Sequence, residues 1–313
     1  MQTIAILGAG LMGHGIAQVF AGAGHQVRIF DQDPAVLSSV PDRIHANLVP
    51  FVELGLVAQD QVEPLLHSVT LCSNLADLYQ GADVIIEAVS ENLELKRKVF
   101  AQMESVVPPR TILASNTSAI SIGLIAEGLA HPERVLGTHF WNPPQVVPCV
   151  EVIRAQDTDP AVVDRVMELL TGAGKHPVRV EKDVPGFVGN RMQHALWREA
   201  IYLVEQGIAS PEDVDAVVRL GFGLRLAFLG PLQTADLAGL DLTRAVHQDL
   251  LPHLDCAKGP SPLLERKLAQ GHLGAKAGQG FHSWTPESLA AVKQNRDRTL
   301  LKILREVLPS KQI

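Results

Sequence analysis

A glycine-rich turn near the amino terminus constrains the fold of this chain more than any other feature. Gly8, Gly10 and Gly13 stand at G-x-G-x-x-G spacing, directly after a short apolar run and before a helical pattern. Gly8 permits a tight turn, Gly10 lets the backbone approach a pyrophosphate, and Gly13 lets the helix pack closely on the strand. The turn alone is weak evidence, because it also fits an ordinary glycine-rich turn.

An acidic residue at the end of the second apolar run strengthens this interpretation. Asp31 lies where a carboxylate is expected to accept hydrogen bonds from adenosine ribose hydroxyls. A 2′-phosphate would meet Asp31 with Gln32 and Asp33 beside it and no arginine there, which favours NAD over NADP. We therefore predict an NAD site formed by Gly8, Gly10, Leu11, Met12, Gly13 and Asp31.

Short β-rich runs alternate with helical patterns through the first half of the chain. The runs predicted to be strands are TIAILG, QVRIFD, SVTLCS, DVIIEAV, TILASN, RVLGTHF, CVEVI and PVRVEK. Amphipathic segments at 94–107 and 159–172 lie between some of them, which indicates an α/β Rossmann-like doubly wound sheet. Residues 34–54 contain Pro41 and Pro50, so we expect a bent helix or a helical pair there.

The strand patterns stop after Asp183-Val184-Pro185-Gly186, and the chain downstream has helical periodicity. We predict a Rossmann NAD-binding domain over residues 1–184 and an all-α C-terminal domain for substrate binding and dimerisation over residues 185–313. Helices are expected over about 187–205, after Ser210, and after Thr285. The first of these should bury a face made of Val188, Met192, Leu196 and Leu203.

Composition limits the classes of partner. The net charge of −7 and pI near 5.9 give no basic surface for nucleic acid or an anionic membrane, so the expected partner is a small molecule. The three cysteines, Cys72, Cys149 and Cys256, are widely separated and form no C-x-x-C pair. We therefore expect no disulfide framework, no zinc site and a cytoplasmic location. No secretory leader or membrane span is expected from the pattern.

A histidine and a glutamate form the candidate catalytic pair. His139 ends a predicted strand just before Pro143 and Pro144 stop regular structure. Glu151 lies within the apolar run CVEVI, where an unpaired carboxylate is costly to bury. The imidazole of His139 is a suitable partner, because Glu151 would fix its tautomer while the ring accepts a proton. Twelve residues of separation do not by themselves establish contact.

The order of motifs along essentially the whole chain resembles the L-3-hydroxyacyl-CoA dehydrogenase family. The motifs are the glycine loop, ENLELK at 91–96, SNTS at 115–118, the His139 run, Glu151, PGFVGNR at 185–191 and GQGF at 278–281. The resemblance implies NAD-dependent oxidation of a secondary alcohol by a His139/Glu151 dyad, with Ser118 and Asn190 hydrogen-bonding the oxygens of the substrate. It also implies cofactor contacts from Glu91, Lys96, Ser118, Asn142 and Lys276.

Each of these residues has a simpler explanation when it is taken alone. Ser118 would cap a helix beginning near Ile120, and Asn190 would be a polar group near a helix start. Lys96 would be a solvated helix residue. His14, directly after the third glycine, is interpreted as a structural residue of the first helical turn.

Two features differ from enzymes that act on acyl-CoA thioesters. Those enzymes have a lysine-rich helical region after the second strand that helps hold the CoA phosphates, whereas no lysine or arginine lies between Arg43 and Lys96 here. The stretch 221–231 is a few residues longer and carries Arg225. This pattern resembles the free-acid branch of the family, which includes L-gulonate 3-dehydrogenase (lambda-crystallin), L-carnitine dehydrogenase and a pyridine-carboxylate dehydrogenase of pyridoxine catabolism.

We hypothesise that Arg225, together with Arg198, binds the carboxylate of a small unesterified substrate. The alternative is a surface or dimer-interface arginine, because exposed arginine is the usual case. Three functions stay open: a free 3-hydroxy acid dehydrogenase, an L-3-hydroxyacyl-CoA dehydrogenase, and a non-catalytic, crystallin-like NAD-binding protein. The resemblance also implies a homodimer joined through the helical domains.

Overall fold

A single eight-stranded sheet organises the first part of the chain. The computed structural model describes residues 1–307, the last of these for its backbone only. The strands are β1 Thr3–Leu7, β2 Gln26–Phe30, β3 Val69–Leu71, β4 Val84–Glu87, β5 Ile112–Ser115, β6 Val135–Phe140, β7 Cys149–Ile153 and β8 His176–Val180. They lie in the order β3-β2-β1-β4-β5-β6-β7-β8, and every neighbouring pair is parallel except β6 with β7. The predicted doubly wound fold and all the predicted strands are confirmed.

Helices pack on both faces of this sheet, and further helices follow it along the described chain. They are α1 Gly13–Gly22, α2 Pro34–Ser38, α3 Val40–Glu53, α4 Val62–His67, α5 Leu75–Tyr79, α6 Leu93–Val106, α7 Ile122–Ala126, α8 Pro160–Gly172, α9 Gly189–Glu205, α10 Pro211–Leu220, α11 Pro231–Ala238, α12 Leu240–Leu250, α13 Pro262–Ala269 and α14 Pro286–Val307. The expected helical pair at 34–54 is present as α2 and α3. Pro41 lies in the first turn of α3, and Pro50 lies inside that helix without ending it.

Alternate residues of the strands build two apolar layers. Ile4 and Ile6 of β1 pack with α1, α3 and α8 on one face, whereas Ala5 and Leu7 pack with α6 and α7 on the other. Strands buried on both faces explain why the runs read as continuously apolar rather than alternating. The carboxyl ends of β1, β4, β5 and β6 consequently meet at one edge, where ligands bind in folds of this type.

The chain divides into two compact units. The first contains residues 1–191 and residues 296–307, and the second is Met192–Asn295. The predicted domain boundary after residue 184 stays a prediction. It was placed where the strand patterns end, whereas these units are groups of residues that are compact in space. None of the described helices is long and apolar enough to cross a membrane.

One packing prediction is wrong. Of the four residues expected to form a buried face, Val188 just before α9 and Met192 and Leu196 within it are 44%, 54% and 38% exposed, and only Leu203 is half-buried. Helices α10 to α13 bury a single side chain, Val214. Apolar spacing identified the helices correctly, but these helices bury little of their apolar surface within the single chain.

Candidate active site

The glycine loop between β1 and α1 has the geometry of a phosphate-binding turn. Gly8 has a φ of 102°, and a Cβ on it would lie 2.6 Å from the Ala88 carbonyl oxygen. A Cβ on Gly13 would lie 1.8 Å from the Gly8 carbonyl oxygen, so only glycine allows α1 to start so close to the strand. Gly10 faces open space, and α1 has no side-chain cap and no acidic residue in its first turn. Its first amides therefore suit the pyrophosphate of a dinucleotide.

Asp31 follows β2 and holds the glycine loop. Its Oδ2 accepts a hydrogen bond from the Ala9 amide at 2.7 Å, and its Oδ1 accepts one from the Asp33 amide at 3.0 Å. Each oxygen keeps a second lone pair for a ribose hydroxyl. Leu11 is largely exposed and Met12 is half-buried at the turn into α1. These residues fit the adenosine and pyrophosphate part of NAD.

Contrary to the expectation that no arginine accompanies Asp31, Arg43 lies on the glycine loop that Asp31 also holds. The guanidinium of Arg43, on α3, donates to the carbonyl oxygens of Ala9 at 2.8 Å and Gly10 at 2.9 Å. Burial lowers the pKa of Arg43 against the attraction of the Asp31 charge. The guanidinium also lies 2.8 Å from His14 Nδ1, and burial lowers the pKa of that imidazole. These contacts agree with the interpretation of His14 as a structural residue of the first turn of α1, which stays a prediction.

A buried ion-pair network lies at the carboxyl ends of β4 and β5. Glu87 accepts hydrogen bonds from Lys96 Nζ at 2.7 Å, Ser115 Oγ at 2.6 Å and the Val89 amide at 2.7 Å. Lys96 Nζ also lies 3.4 Å from a carboxylate oxygen of Glu91. Lys96 is therefore a buried cation between two carboxylates rather than a solvated helix residue. Its contact with the cofactor stays a prediction.

Glu91 holds the segment that carries Ser118. Its Oε1 accepts hydrogen bonds from the Thr117 hydroxyl at 2.5 Å and from the amides of Ser118 at 3.0 Å and Ala119 at 3.1 Å. Burial would raise the pKa of Glu91, but the Thr117 hydroxyl, the Lys96 charge and the two amides lower it overall. An ionised Glu91 thus fixes the backbone around Ser118.

The structure brings Ser118 and Asn190 together. Asn190 Nδ2 donates to the Ser118 carbonyl oxygen at 2.8 Å. The nearby helix α7 begins at Ile122 and is capped by Ser121, so Ser118 is not its cap. Within residues 1–307 no hydrogen-bond partner is present for the Ser118 hydroxyl. The hydroxyl can therefore bind a ligand.

His139 and Glu151 lie directly opposite each other on the antiparallel strands β6 and β7. His139 Nδ1 is 2.8 Å from Glu151 Oε2, and the two side chains are only 5% and 3% exposed. The rings of Trp141 and Phe187 flank the imidazole, with centroids 5.1 and 5.8 Å away. Because Glu151 occupies Nδ1, Nε2 is the nitrogen left to exchange a proton with a ligand.

The second oxygen of Glu151 holds the start of α9. Oε1 accepts hydrogen bonds from the Val188 amide at 2.9 Å and the Gly189 amide at 3.0 Å. Burial would raise the pKa of Glu151, but the hydrogen bonds from His139 and from these two amides lower it. Phe187, just before these amides, has a φ of 51°, which is uncommon for a bulky residue. One carboxylate therefore orients the imidazole and fixes a strained helix entry.

The other predicted residues lie in the helical unit or on the surface. Arg198 Nε is 3.6 Å from Asp255 Oδ2, and Arg198 lines a cavity of about 620 Å³ within that unit. Arg225 and Lys276 are exposed in short turns of 3-10 helix. Asn142 is exposed in the segment that joins β6 to β7. Their contacts with substrate or cofactor stay predictions.

Sequence reasoning missed Glu87 and the position of Arg43. Glu87 could have been found by the same pattern as Glu151, a carboxylate within an otherwise apolar strand. Arg43 gives no such pattern, because its partners are main-chain carbonyl oxygens of another loop.

The sheet order and the glycine loop are those of a dinucleotide-binding fold. Residues 3–184 match the NAD-binding domain of 3-hydroxyacyl-CoA dehydrogenase, and residues 186–284 match the C-terminal domain of the same family. The chain therefore belongs to the 3-hydroxyacyl-CoA dehydrogenase family, a family of NAD-dependent dehydrogenases, and NAD is its cofactor. The predicted family and cofactor are confirmed.

The chain is similar to relatives of both branches. It is 35% identical to a 5-formyl-3-hydroxy-2-methylpyridine 4-carboxylate 5-dehydrogenase of Mesorhizobium japonicum, over 97% of this chain and 98% of that protein. It is 38% identical to a probable 3-hydroxybutyryl-CoA dehydrogenase of Bacillus subtilis, over 91% and 98%. It is 35% identical to a lambda-crystallin homolog of Homo sapiens, over 96% and 94%. A solved structure of the pyridine carboxylate dehydrogenase, described as an NAD+-dependent dismutase, has a TM-score of 0.92 and covers 98% of both chains.

Proposed function

We propose that this protein oxidises the 3-hydroxy group of a small carboxylated alcohol with NAD+, using His139 as the base. The hydrogen bond between His139 Nδ1 and Glu151 Oε2, buried at the carboxyl edge of the sheet, carries the proposal. A buried imidazole with one nitrogen held by a carboxylate can accept a proton on the other nitrogen, because the carboxylate stabilises the cation that forms.

Bound NAD+ supplies the acceptor for the hydride that leaves the carbinol carbon. His139 Nε2 accepts the hydroxyl proton, and Glu151 stays ionised beside Nδ1 to stabilise the imidazolium. Ser118 and Asn190 orient the oxygen of the substrate, and Glu91 keeps the Ser118 backbone in place through three hydrogen bonds. Trp141 and Phe187 restrict water around the imidazole.

A free carboxylate, rather than a CoA thioester, is the proposed recognition group. The described helices α3 and α4 contain one arginine, Arg43, and its guanidinium is already bound to the glycine loop. That leaves little positive charge there for CoA phosphates. The exposed Arg225, with Arg198, is proposed to bind the carboxylate instead. The likeness to the pyridine carboxylate dehydrogenase over nearly the full length of both chains supports this choice.

A substrate panel tests the proposal. Purified protein is mixed with NAD+, and NADH absorbance is followed with L-3-hydroxybutyryl-CoA and with free acids including L-gulonate, L-carnitine, 3-hydroxybutyrate and the pyridine carboxylate of the Mesorhizobium enzyme. A higher kcat/KM for a free acid supports the proposal. A higher value for the thioester makes the protein a 3-hydroxyacyl-CoA dehydrogenase, the alternative that the Bacillus relative favours.

Two variants separate base from recognition group. His139→Gln should lower kcat by about 10² to 10⁴ while NAD binding is retained. Arg225→Ala should raise KM for the best free acid far more than it changes NAD binding, whereas Arg244→Ala, another exposed arginine of the helical unit, serves as the matched control. Equal effects of Arg225→Ala on acid binding and on NAD binding would refute its role in recognition. Wild-type turnover of His139→Gln would refute the role of His139 as the base.

A homodimer joined through the helical unit is part of the proposal. Large apolar side chains of this unit are strongly exposed, such as Leu220 at 75%, Leu232 at 81% and Leu237 at 74%. Apolar surface of this extent is typical of a protein interface. Light scattering should give twice the chain mass, and Leu232→Asp should shift it toward the monomer. The three free cysteines are compatible with the proposed cytoplasmic location.

A further inference from the structure

Lys175 is a buried lysine that the proposed mechanism does not use. It follows Gly174, whose φ of 74° ends helix α8, and it precedes β8. Its backbone amide donates to the Leu170 carbonyl oxygen at 2.9 Å, so the position of its backbone is fixed at the helix end. Only 5% of the residue is exposed.

The ammonium of Lys175 holds a segment of the main chain. Nζ donates to the Pro144 carbonyl oxygen at 2.6 Å and to the Val147 carbonyl oxygen at 3.0 Å. Both belong to residues 141–148, the segment that connects the strand of His139 to the strand of Glu151. Asn142, the residue of this segment that is proposed to contact the cofactor, lies two positions before Pro144.

The same segment packs against the helix of the glycine loop. A Cβ on Gly15 of α1 would lie 2.6 Å from both Gln145 Oε1 and Pro144 Cγ. The segment is therefore in close contact with α1 on one side and bonded to Lys175 on another. Among the described residues, few other hydrogen bonds hold the segment. The Val146 and Val147 amides donate to the Pro143 carbonyl oxygen, at 3.0 and 2.9 Å, and the His176 amide donates to the Pro148 carbonyl oxygen at its end, at 2.9 Å.

No carboxylate compensates the charge of Lys175 among the described residues. Burial alone lowers the pKa of this amine to about 7. Lys175 also lines a cavity of about 320 Å³, and it is the one charged side chain in the lining of that cavity. A lysine buried without a partner acid is unfavourable for stability, which favours a role for Lys175 other than stabilising the fold.

We propose that Lys175 is a positioning residue, which sets the conformation of residues 141–148 and thereby places Asn142 against the bound cofactor. The inference rests on the proposed function in one respect, the contact between Asn142 and NAD. The amine acts through two carbonyl oxygens and touches neither substrate nor cofactor. We call the two hydrogen bonds from Nζ to the Pro144 and Val147 carbonyl oxygens the Lys175 tether. Either protonation state of the amine has enough N–H groups for both bonds, so the tether persists across the working pH range.

Three variants isolate the tether. Lys175→Met keeps the length of the side chain but removes both donors. Lys175→Arg keeps donors, and the adjoining cavity gives room for the larger guanidinium. Lys302→Met removes an exposed lysine of α14 and controls for the loss of a charge.

Two readouts are measured on the full chain. Hydrogen exchange at the Val146 and Val147 amides reports the conformation of the segment, and fluorescence titration gives the Kd for NAD+. Lys175→Met should speed exchange at both amides and raise the Kd about five- to tenfold, the loss expected for about one hydrogen bond. Lys175→Arg should restore both values toward the wild type, and Lys302→Met should change neither.

Double-mutant cycles distinguish positioning from general destabilisation. The effect of Lys175→Met on the Kd should largely disappear in an Asn142→Ala background but persist beside Asp31→Asn, which alters the adenosine site. Equal additivity in both backgrounds would overturn the inference, and so would unchanged exchange in Lys175→Met. If Asn142→Ala itself leaves the Kd unchanged, the fault lies in the proposed Asn142 contact and the inference fails with it. A loss of affinity in Asn142→Ala but not in Lys175→Met refutes the inference alone.

Discussion

Replacing Glu151 with glutamine is the sharpest test of the His–Glu pair. The carboxylate accepts three hydrogen bonds, from His139 Nδ1 at 2.8 Å and from the Val188 and Gly189 amides at 2.9 and 3.0 Å. A glutamine side chain has one acceptor oxygen and one donor group. It can therefore satisfy the imidazole in its active tautomer or the two amides, but not both.

The two orientations of the glutamine have different penalties. When the glutamine oxygen faces the imidazole, its NH₂ group faces the two backbone amides, which are donors too. Each buried amide left without an acceptor then costs about 1 to 3 kcal/mol. With its oxygen toward the amides, its NH₂ donates to Nδ1, and the proton of the ring moves to Nε2. The second orientation should prevail because it keeps both backbone amides hydrogen-bonded. It places a proton on the nitrogen that must accept one from the substrate.

Glu151→Gln should therefore lower kcat by about 10² to 10⁴ and leave the Kd for NAD+ near that of the wild type. The unfolding free energy should fall by only about 1 to 2 kcal/mol, because charge-assisted hydrogen bonds become neutral ones. NADH absorbance, fluorescence titration and urea unfolding measure the three quantities. His139→Gln is the matched control, since it removes the base and leaves the amides of α9 bonded to the carboxylate. A Glu151→Gln enzyme with kcat within threefold of the wild type would refute the reasoning.

Three further perturbations test the surrounding structure. Gly13→Ala would place a Cβ 1.8 Å from a carbonyl oxygen and should abolish NAD binding, whereas Gly172→Ala, with nothing within 4 Å, should bind NAD normally in the same titration. The pKa of Lys175, lowered to about 7, means that the unfolded chain binds more protons between about pH 7 and 10.5. Stability measured with urea should therefore rise across that range, by at most about 5 kcal/mol from this group, and Lys175→Met should remove that rise. Glu87→Gln should lower the unfolding free energy by about 3 to 5 kcal/mol, because Lys96 is left buried without its main partner; a loss below about 1 kcal/mol would show that the pair is weak.

The fold was predictable because the strands, turns and helix starts are each specified by residues close together in the sequence. Each strand is a short apolar run between turn residues, and Gly8 and Gly13 are glycines because a Cβ at either position would clash with a main-chain carbonyl oxygen. The identity of the helical segments was equally local, as at Ser210, which caps α10 as expected. What the helices bury was not predictable from one chain, because the spacing of Met192 shows that a face is apolar but not what covers it.

The site was predictable where a charged residue lies within an otherwise apolar stretch of sequence. Glu151 in an apolar strand requires a partner, and opposite register on β6 and β7 supplies His139. Arg43 and Lys175 gave no such pattern. Their partners are carbonyl oxygens of distant loops, and a carbonyl oxygen is present at every residue whatever the sequence.

Charged side chains that bond the main chain are the common principle of this site. Glu91 holds the amides of Ser118 and Ala119, Glu151 holds the amides before α9, and Lys175 holds two carbonyl oxygens near Asn142. A charge-assisted bond to the backbone fixes a loop more tightly than apolar packing, because it is directional and its loss leaves a buried charge unpaired. Substitution of these charges should therefore alter the geometry of catalysis before it unfolds the protein. This order of effects distinguishes a site built by buried charges from one built by packing alone.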